Sequence, residues 1–363
     1  MLFYFLFAIV AFFSLIEIGK GFSKKRAKKL FLFFCFIFYI LSFLRWEFGT
    51  DWYGYTRLFE VMTWKNTEFH EVLFSAIMIF ARNAFGHYTY SLFLFASILF
   101  FFQTKAISKL SAMPLTTLLV LTGTYLCNVG FVRQQVAMAI VLYSIVYIIK
   151  RDFVPFFLLV LCASGFHYSA LVFIPAWWLF NVNLSRKAVL IAVVISLSLY
   201  AVVTPMFAGL GQLVGGDIGM RIGDYTEIGL AYEDTSTFSS GQLIIKAIFN
   251  RGLFFLIGFY LYDKPISKQT QFRHFFNLYC FGTILFFLTS PISIILTRMS
   301  WYYDFSQILI VPYLFMHVKD KGTNIALFLL LTAILGAKLY LTMNAYEGKM
   351  FEYKLTPLIS DLL

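Results

Sequence analysis

Arginine is the residue type in this sequence whose placement most strongly suggests chemistry. Arg133 lies in the apolar segment FVRQQVAMAI, where a charge inside a membrane costs at least about 2.5–3.5 kcal/mol. Arg298 in ILTRMSWYYD and Arg251 in AIFNRGLFF have similar surroundings. A guanidinium is always charged, and its planar fork matches phosphate oxygens two at a time. These arginines predict an anion site, while an ion pair between helices (Asp304 lies near Arg298) or a snorkelling side chain is the alternative.

The segment RWEFGTDWYGY at 45–55 is the densest polar and aromatic stretch of the chain. Flat aromatic faces suit the C–H faces of sugar rings and suit the lipid interface equally. The aromatic residues here are Trp46, Trp52, Tyr53 and Tyr55. Asp51 and Glu47 offer carboxylates, and Gly49 and Gly54 predict a tight turn. The segment therefore predicts either a sugar-binding loop or an aromatic belt above a helix end.

His167, in SGFHYSALVFIP, is one of five histidines and the leading candidate for a general base. Asp51 and Glu47 follow it in that order, and a purely structural histidine is the alternative. The sequence has no HExxH, paired CxxC, Walker loop or GxSxG motif. It therefore gives no support to a metal hydrolase, a nucleotide hydrolase or a serine hydrolase, and we expect neither a metal nor a cofactor.

These residues need a membrane scaffold to position them. Of the 363 residues 60% are hydrophobic, 20% aromatic and only 13% charged, against about 45–50% apolar and about 25% charged in soluble domains. Thirteen apolar runs cover the chain: 2–19, 30–44, 69–85, 88–102, 115–127, 131–149, 153–164, 168–180, 188–207, 243–262, 273–290, 303–317 and 324–343. A helix needs about 20 residues to cross a bilayer. We predict an all-α, polytopic membrane protein with about 11–13 transmembrane or re-entrant helices in one domain, 1–363.

The net charge of +11 is explained by membrane topology rather than by nucleic acid. If the loop at 20–29 is cytoplasmic and hairpins alternate from it, the inner loops hold 17 basic and three acidic residues. This asymmetry predicts a multi-pass protein of the bacterial inner membrane with its N-terminus outside. The outer loops would be 45–68 and 208–242, and the glycine-rich second loop is a possible mobile lid over the site. The four cysteines all lie in apolar runs and imply no disulfide framework.

Two parts of this topology stay open. Segment 69–85 carries His70, Glu71 and Arg82, so it is either an amphipathic helix on the outer surface or a span, with 115–149 then crossing once as one long helix. Several runs, such as 115–127 and 153–164, are short for a full crossing.

Four motifs taken together resemble the EpsG-like branch of the Wzy-type bacterial polysaccharide polymerases. They are RWEFGTDWYGY at 45–55, NVGFVRQQVA at 128–137, FHYSAL at 166–171 and RMSWY at 298–302. In that family an Arg-x3-Gly-x-Asp-aromatic loop, an Asn-x4-Arg-Gln helix, a Phe-His-x-Ser turn and a late arginine before tyrosines recur in this order.

The resemblance implies a glycosyltransferase that uses a lipid-pyrophosphate donor. A growing O-antigen or exopolysaccharide chain would leave undecaprenyl pyrophosphate for the non-reducing end of a new lipid-linked repeat unit at the periplasmic face. A Wzz-type chain-length regulator is the expected protein partner, and no nucleic acid is expected. From the chemistry that this reaction needs, we expect the catalytic residues to be His167, Asp51, Arg133 and Arg298. We expect the substrate-binding residues to be Arg45, Arg221, Arg251, Trp46, Trp52, Tyr53, Gln134 and Tyr302.

Other membrane functions compete with this one. A flippase for lipid-linked oligosaccharides would also line a cavity with arginines and aromatics, but with charges through both halves of the membrane. An O-antigen ligase differs from a polymerase only in its acceptor. A membrane acyltransferase would use His167 as base.

Overall fold

Almost every apolar run forms a helix in the computed structural model, which describes residues 1–49, 51–67, 70–126, 129–130, 132–214, 240–292, 294–344 and 353–360. The chain divides into two compact units. The prediction of an all-α fold is confirmed, because the described strands are only two residues long each.

The first unit comprises Met1–Leu171 and Val311–Leu363. Its N-terminal part contains the helices α1 (Leu2–Ile18), α2 (Lys24–Phe43), α3 (Trp52–Val61), α4 (Val72–Phe85), α5 (Tyr88–Leu110), α6 (Pro114–Tyr125), α7 (Arg133–Lys150) and α8 (Phe153–Ser164), a 3-10 turn at Trp64–Asn66 and the strand β1 (Arg45–Trp46). The 3-10 helix Tyr168–Phe173 leads out of this unit.

The second unit comprises Val172–Ile310. Its helices are α9 (Ala176–Leu179), α10 (Arg186–Val214), α11 (Ser240–Leu261), α12 (Pro265–Gln269), α13 (Phe272–Thr289), α14 (Ile294–Thr297) and α15 (Trp301–Asp304). The chain returns to the first unit within α16 (Gln307–His317) and ends with α17 (Lys321–Asn344), β2 (Lys354–Leu355) and α18 (Pro357–Ser360).

A buried carboxylate joins α1 to α6 in the first unit. Oε2 of Glu17 accepts from the backbone N–H of Thr116 at 2.8 Å and from its hydroxyl at 2.9 Å. The first N–H groups of a helix have no intrahelical partner, and a negative charge there is favourable. Glu17 therefore caps α6, which begins with Pro114 and buries most of its side chains.

The C-terminal segment pairs with the chain just after α2. Strand β2 is antiparallel to β1, with Arg45 opposite Leu355 and Trp46 opposite Lys354. The hydroxyls of Thr89 and Thr356 lie 2.6 Å apart beside this pair. This long-range pairing fixes the backbone on which the 45–55 motif begins.

The structure differs from the sequence prediction in three places. The predicted outer loop at 45–68 contains a ten-residue helix, α3, and Gly54 lies inside it rather than in a turn. The run 115–149 is broken between α6 and α7, where Leu126 has the left-handed φ of 49°, so one continuous helix there is excluded. The run 168–180 is a 3-10 helix followed by the short α9.

Among the described residues, two helices, α5 and α17, are long and apolar enough to cross a membrane, and several further apolar helices, such as α1, α4 and α8, have 17 residues or fewer. The number of crossings stays a prediction. Of the predicted lid, 208–242, the helices α10 and α11 account for the two ends, and its centre lies outside the described residues.

Candidate functional site

Two segments far apart in sequence meet at the start of α4. The carbonyl oxygen of Gly165 accepts from the backbone N–H groups of Leu73 at 2.8 Å and Phe74 at 3.2 Å. These are donors of the first helical turn, which a helix cannot satisfy internally. A Cβ at Gly165 would lie 2.7 Å from Cδ1 of Leu73, so glycine permits this approach. The FHYSAL turn, which follows Gly165, is thereby held against the first turn of α4.

Glu71, immediately before α4, is the centre of a polar cluster. Its Oε2 lies 2.9 Å from Nη1 of Arg133, and its Oε1 lies 3.2 Å from Nδ1 of His167. The His167 contact is close but is not aligned as a hydrogen bond. Nε of Arg133 donates to the hydroxyl of Tyr55 at 3.2 Å. We call Tyr55, Glu71, Arg133 and His167 the Glu71 cluster.

Elements of the first unit hold the cluster from several sides. Arg133 is the first residue of α7, Tyr55 lies on α3, and His167 follows α8. The guanidinium carbon of Arg133 also lies 5.2 Å from the ring centroid of Phe74, a cation–π distance. The side chain of Arg133 is therefore fixed by an ion pair, a hydrogen bond and an aromatic face.

The surroundings determine the protonation of this cluster. Burial raises the pKa of Glu71, but the contact with His167 and the charge of Arg133 outweigh burial, so the pKa lies below its ordinary value. Burial lowers the pKa of the neighbouring His70, and the Arg133 charge lowers it further. Burial also raises the pKa of Tyr55. At neutral pH the cluster thus contains a carboxylate and a neutral phenol.

The cluster is accessible at two points. The side chain of Glu71 is 5% exposed, whereas Arg133 is 28% and His167 21% exposed. Among the described residues Nη2 of Arg133 has no hydrogen-bond partner. A partly exposed guanidinium beside a partly exposed imidazole can bind an anion and accept a proton in the same place.

The first motif approaches the loop before α7. Gly49 has a φ of 109° and Gly130 a φ of 104°, a region that favours glycine. A Cβ on Gly49 would collide with the carbonyl oxygen of Gly130. Two motifs separated by about eighty residues are thus in backbone contact.

The remaining predicted residues of the first unit have varied environments. Arg45 is buried, and its Nη1 donates to the carbonyl oxygen of Ser42 at 2.7 Å. The Trp46 ring stacks on His87, while Trp52 and Gln134 are buried. Tyr53 is 68% exposed, and exposed Asp51 precedes α3. Of the predicted aromatic residues in 45–55, Tyr53 is therefore the most open to a ligand.

The second unit contains Arg251, Arg298 and Tyr302. Arg251 pairs with Asp304, the residue that the sequence offers as a partner for Arg298. Arg298 is exposed just after α14, and Tyr302 is buried. Arg221 lies outside the described residues.

Sequence reasoning missed Glu71 as a site residue. The charges of 69–85 entered the sequence analysis only in the choice between a surface helix and a span. In the structure Arg82 donates to the carbonyl oxygens of Phe59 and Glu60. A carboxylate next to His70 at the start of an apolar run was the available signal. Within the described part of the chain no group of three or more His, Cys, Asp or Glu side chains could hold a metal ion.

Comparison with known proteins gives one result. A family model described as "EpsG family" matches residues 28–355, which include all four motifs and the Glu71 cluster. No curated protein and no solved structure matches the chain.

Proposed function

The chain belongs to the EpsG family, and from this premise we propose that it is a polysaccharide polymerase with the Glu71 cluster in its active site. Family membership makes it a membrane protein of polysaccharide biosynthesis with polymerase-like, glycosyltransferase-type activity. The finer proposal is that it moves a growing glycan from undecaprenyl pyrophosphate to the non-reducing end of a new lipid-linked repeat unit.

The contact of one buried carboxylate with both a guanidinium and an imidazole is the observation that carries this proposal. Transfer from a lipid pyrophosphate needs a cation where the leaving group gains charge and a base where the acceptor loses a proton. Glu71 contacts Arg133 through Oε2 and His167 through Oε1, so one residue orients both groups.

The proposed step forms one bond and breaks one bond at the anomeric carbon of the donor sugar. The acceptor hydroxyl oxygen forms a bond to the anomeric carbon of the donor sugar, and the bond from that carbon to the pyrophosphate oxygen breaks. The electron pair leaves with the pyrophosphate, and the acceptor proton passes to His167. With Nδ1 of His167 facing Glu71, Nε2 is the nitrogen that receives it.

Charge balance explains why an arginine already paired with a carboxylate is still useful. Glu71 and Arg133 together are neutral, so the resting cluster does not trap free anions strongly. When His167 accepts the proton, the cluster gains one positive charge at the moment when the leaving group gains negative charge. Stabilisation therefore increases toward the transition state, which is the condition for catalysis.

The remaining parts of the proposal rest on the family and on the charge pattern. Tyr53 stacks on sugar, Arg298 binds a phosphate, and Asp51 is the reserve base. The protein lies in the bacterial inner membrane with its N-terminus outside, works at the periplasmic face and is regulated by a Wzz-type chain-length partner.

Deletion of the gene, followed by gel analysis of surface polysaccharide, tests the function. We expect the ladder to collapse to a single capped repeat and to return when the wild-type gene is supplied. Loss of all capped material would instead indicate a flippase or a ligase. An unchanged ladder, with altered acylation, would indicate an acyltransferase.

Purified protein and lipid-linked repeat units provide the direct test. We expect products longer than the added repeat unit, made without any nucleotide sugar. His167→Ala should abolish them, whereas His317→Ala, which removes a histidine at the end of α16, should not. Elongation that needs a nucleotide sugar would contradict the proposed donor.

A further inference from the structure

A second arginine–carboxylate pair lies in the second unit and has the features of an internal support. Nη2 of Arg251 lies 2.5 Å from Oδ2 of Asp304 and 3.2 Å from Oγ of Ser300. Oγ of Ser300 lies 3.0 Å from the same carboxylate oxygen. The guanidinium carbon lies 3.5 Å from the ring centroid of Phe286. We call Arg251, Ser300 and Asp304 the Arg251 network.

The charge of Arg251 is used within the protein. The side chains of Arg251 and Asp304 are 12% and 6% exposed, and Arg251 is the one cation paired with Asp304 in the described part of the chain. Removing either partner alone would leave a buried charge without compensation. Arg251 is thus less available to a substrate anion than Arg133, whose guanidinium is more exposed.

The network fixes a segment that has little regular structure of its own. Helices α14 and α15 have four residues each, too short to be stable alone. Ser300 lies between them, and Asp304 ends the second. Exposed Arg298 belongs to the same turn. Holding Ser300 and Asp304 therefore fixes the backbone that carries Arg298.

We infer that Arg251 is a positioning residue: the Arg251 network holds residues 298–304 so that Arg298 is presented to the lipid-linked substrate, and Arg251 itself does not bind that substrate. The presentation of Arg298 to substrate rests on the proposed function, whereas the support of the segment does not.

Gly282 on α13 makes the network testable without changing a charge. A Cβ there would lie 2.5 Å from Oδ1 of Asp304 and 2.8 Å from Cβ of Tyr303. Gly282→Ala must therefore displace the carboxylate or the backbone beside it. Gly252 lies on α11 next to Arg251 and has nothing within 4 Å of its ideal Cβ, so Gly252→Ala is the matched control.

The decisive experiment compares Arg251→Met, Asp304→Leu and the double variant in full-length, detergent-solubilised protein. We expect each single variant to have a lower thermal midpoint and at least about tenfold slower elongation of lipid-linked repeats at low substrate. We expect the double variant to regain the midpoint and to elongate within about threefold of wild type. A stable double variant as inactive as Arg251→Met would show that Arg251 acts on the substrate.

If the double variant does not fold, Gly282→Ala tests whether the Arg251 network supports residues 298–304. We expect its thermal midpoint to fall and its KM for lipid-linked repeats to rise at least about fivefold, with a smaller change in kcat, while Gly252→Ala stays at wild-type values. Wild-type midpoint and KM in Gly282→Ala would reject the network as a support. Thermal midpoints test the support even if the wild-type protein makes no polymer, so failure of the proposed function is recognised separately.

Discussion

At the residue scale, the guanidinium of Arg133 has a fixed geometry, and its side chain is partly exposed. Its Nη1 and Nε are bound to Glu71 and Tyr55, which orients the fork. An ammonium keeps the charge but lacks the fork. We expect Arg133→Lys to lose about 10–100-fold in elongation rate, since hydrogen bonds to charged groups contribute about 1.5–3 kcal/mol each.

The measurement is elongation of lipid-linked repeats by equal amounts of inserted protein, with Arg133→Ala alongside. The two variants should be similarly poor. Lys105→Arg, at an exposed position of α5, is the control. It exchanges the same two side-chain types outside the Glu71 cluster, so we expect it to elongate like wild type. Wild-type chain length in Arg133→Lys would reject a phosphate-binding fork at this position.

We predict that a neutral amide cannot replace Glu71. Glu71→Gln keeps the shape but leaves Arg133 without its counter-charge and His167 without its orienting carboxylate. We expect a loss of about 1–3 kcal/mol in stability and a kcat below that of wild type. Glu60→Gln on α3 is the control, because Glu60 is exposed.

The sign of the pH dependence follows from the depressed pKa of Glu71. A carboxylate with a lowered folded-state pKa contributes stability above its unfolded value of about 4.3, and that stability is lost as pH falls through the folded-state pKa. Thermal midpoints of wild type should fall on acidification more steeply than those of Glu71→Gln. Parallel curves for the two proteins would contradict a charged Glu71 in the folded state.

At the scale of elements, the contact between Gly49 and Gly130 fixes the first motif against the loop before α7. Alanine at Gly49 would be strained at a φ of 109° and would collide with the Gly130 carbonyl. Strain of this kind costs about 1–3 kcal/mol, so Gly49→Ala should lower both the thermal midpoint and chain length. Gly54→Ala, on α3 with nothing within 4 Å of its ideal Cβ, should be neutral or slightly stabilising.

The thermal midpoint and the chain length made by Gly49→Ala and by Gly54→Ala are each compared with those of wild type. If Gly54→Ala is as damaging as Gly49→Ala, the effect belongs to α3 in general. If neither variant differs from wild type, the contact between the two motifs is needed neither for stability nor for elongation.

The elements themselves were largely predictable, because apolar runs specify membrane helices through length and composition alone. The run 153–164 coincides with α8, and 2–19 ends one residue beyond α1. Helix α3 was missed because it buries only Trp52 and Phe59 within a polar segment.

Partners distant in sequence could not be predicted. Glu71 and Arg133 are 62 residues apart, and the β1–β2 pair joins Arg45 to Leu355. Periodicity identifies the face of an element but carries no information about which distant residue contacts it. Arg133 and His167 were therefore proposed from their residue types, while the carboxylate that joins them required the structure.

At the scale of the whole molecule, the distribution of charge predicts which side of the membrane carries the site. The basic segment 20–29, most of which forms the start of α2, should face the cytoplasm and α3 the periplasm. Helix α4 has 14 residues, about 21 Å at 1.5 Å each, which falls short of a hydrocarbon core about 30 Å thick. We therefore expect both ends of α4 to lie on the periplasmic side.

Three single cysteines, placed in a variant without the four native cysteines, test this topology in intact cells. The positions are Lys28, Glu60 and Asn83, and all three are exposed. Lys28 and Glu60 precede α4 in the chain, and Asn83 lies near the C-terminal end of α4. Glu60→Cys and Asn83→Cys should react with a membrane-impermeant thiol reagent from the periplasm, and Lys28→Cys only after the inner membrane is opened. If Asn83→Cys reacts only after opening, α4 crosses the membrane, and every later helix changes direction. If Glu60→Cys is also protected, the Glu71 cluster lies on the cytoplasmic side, where a periplasmic polymerase could not use it.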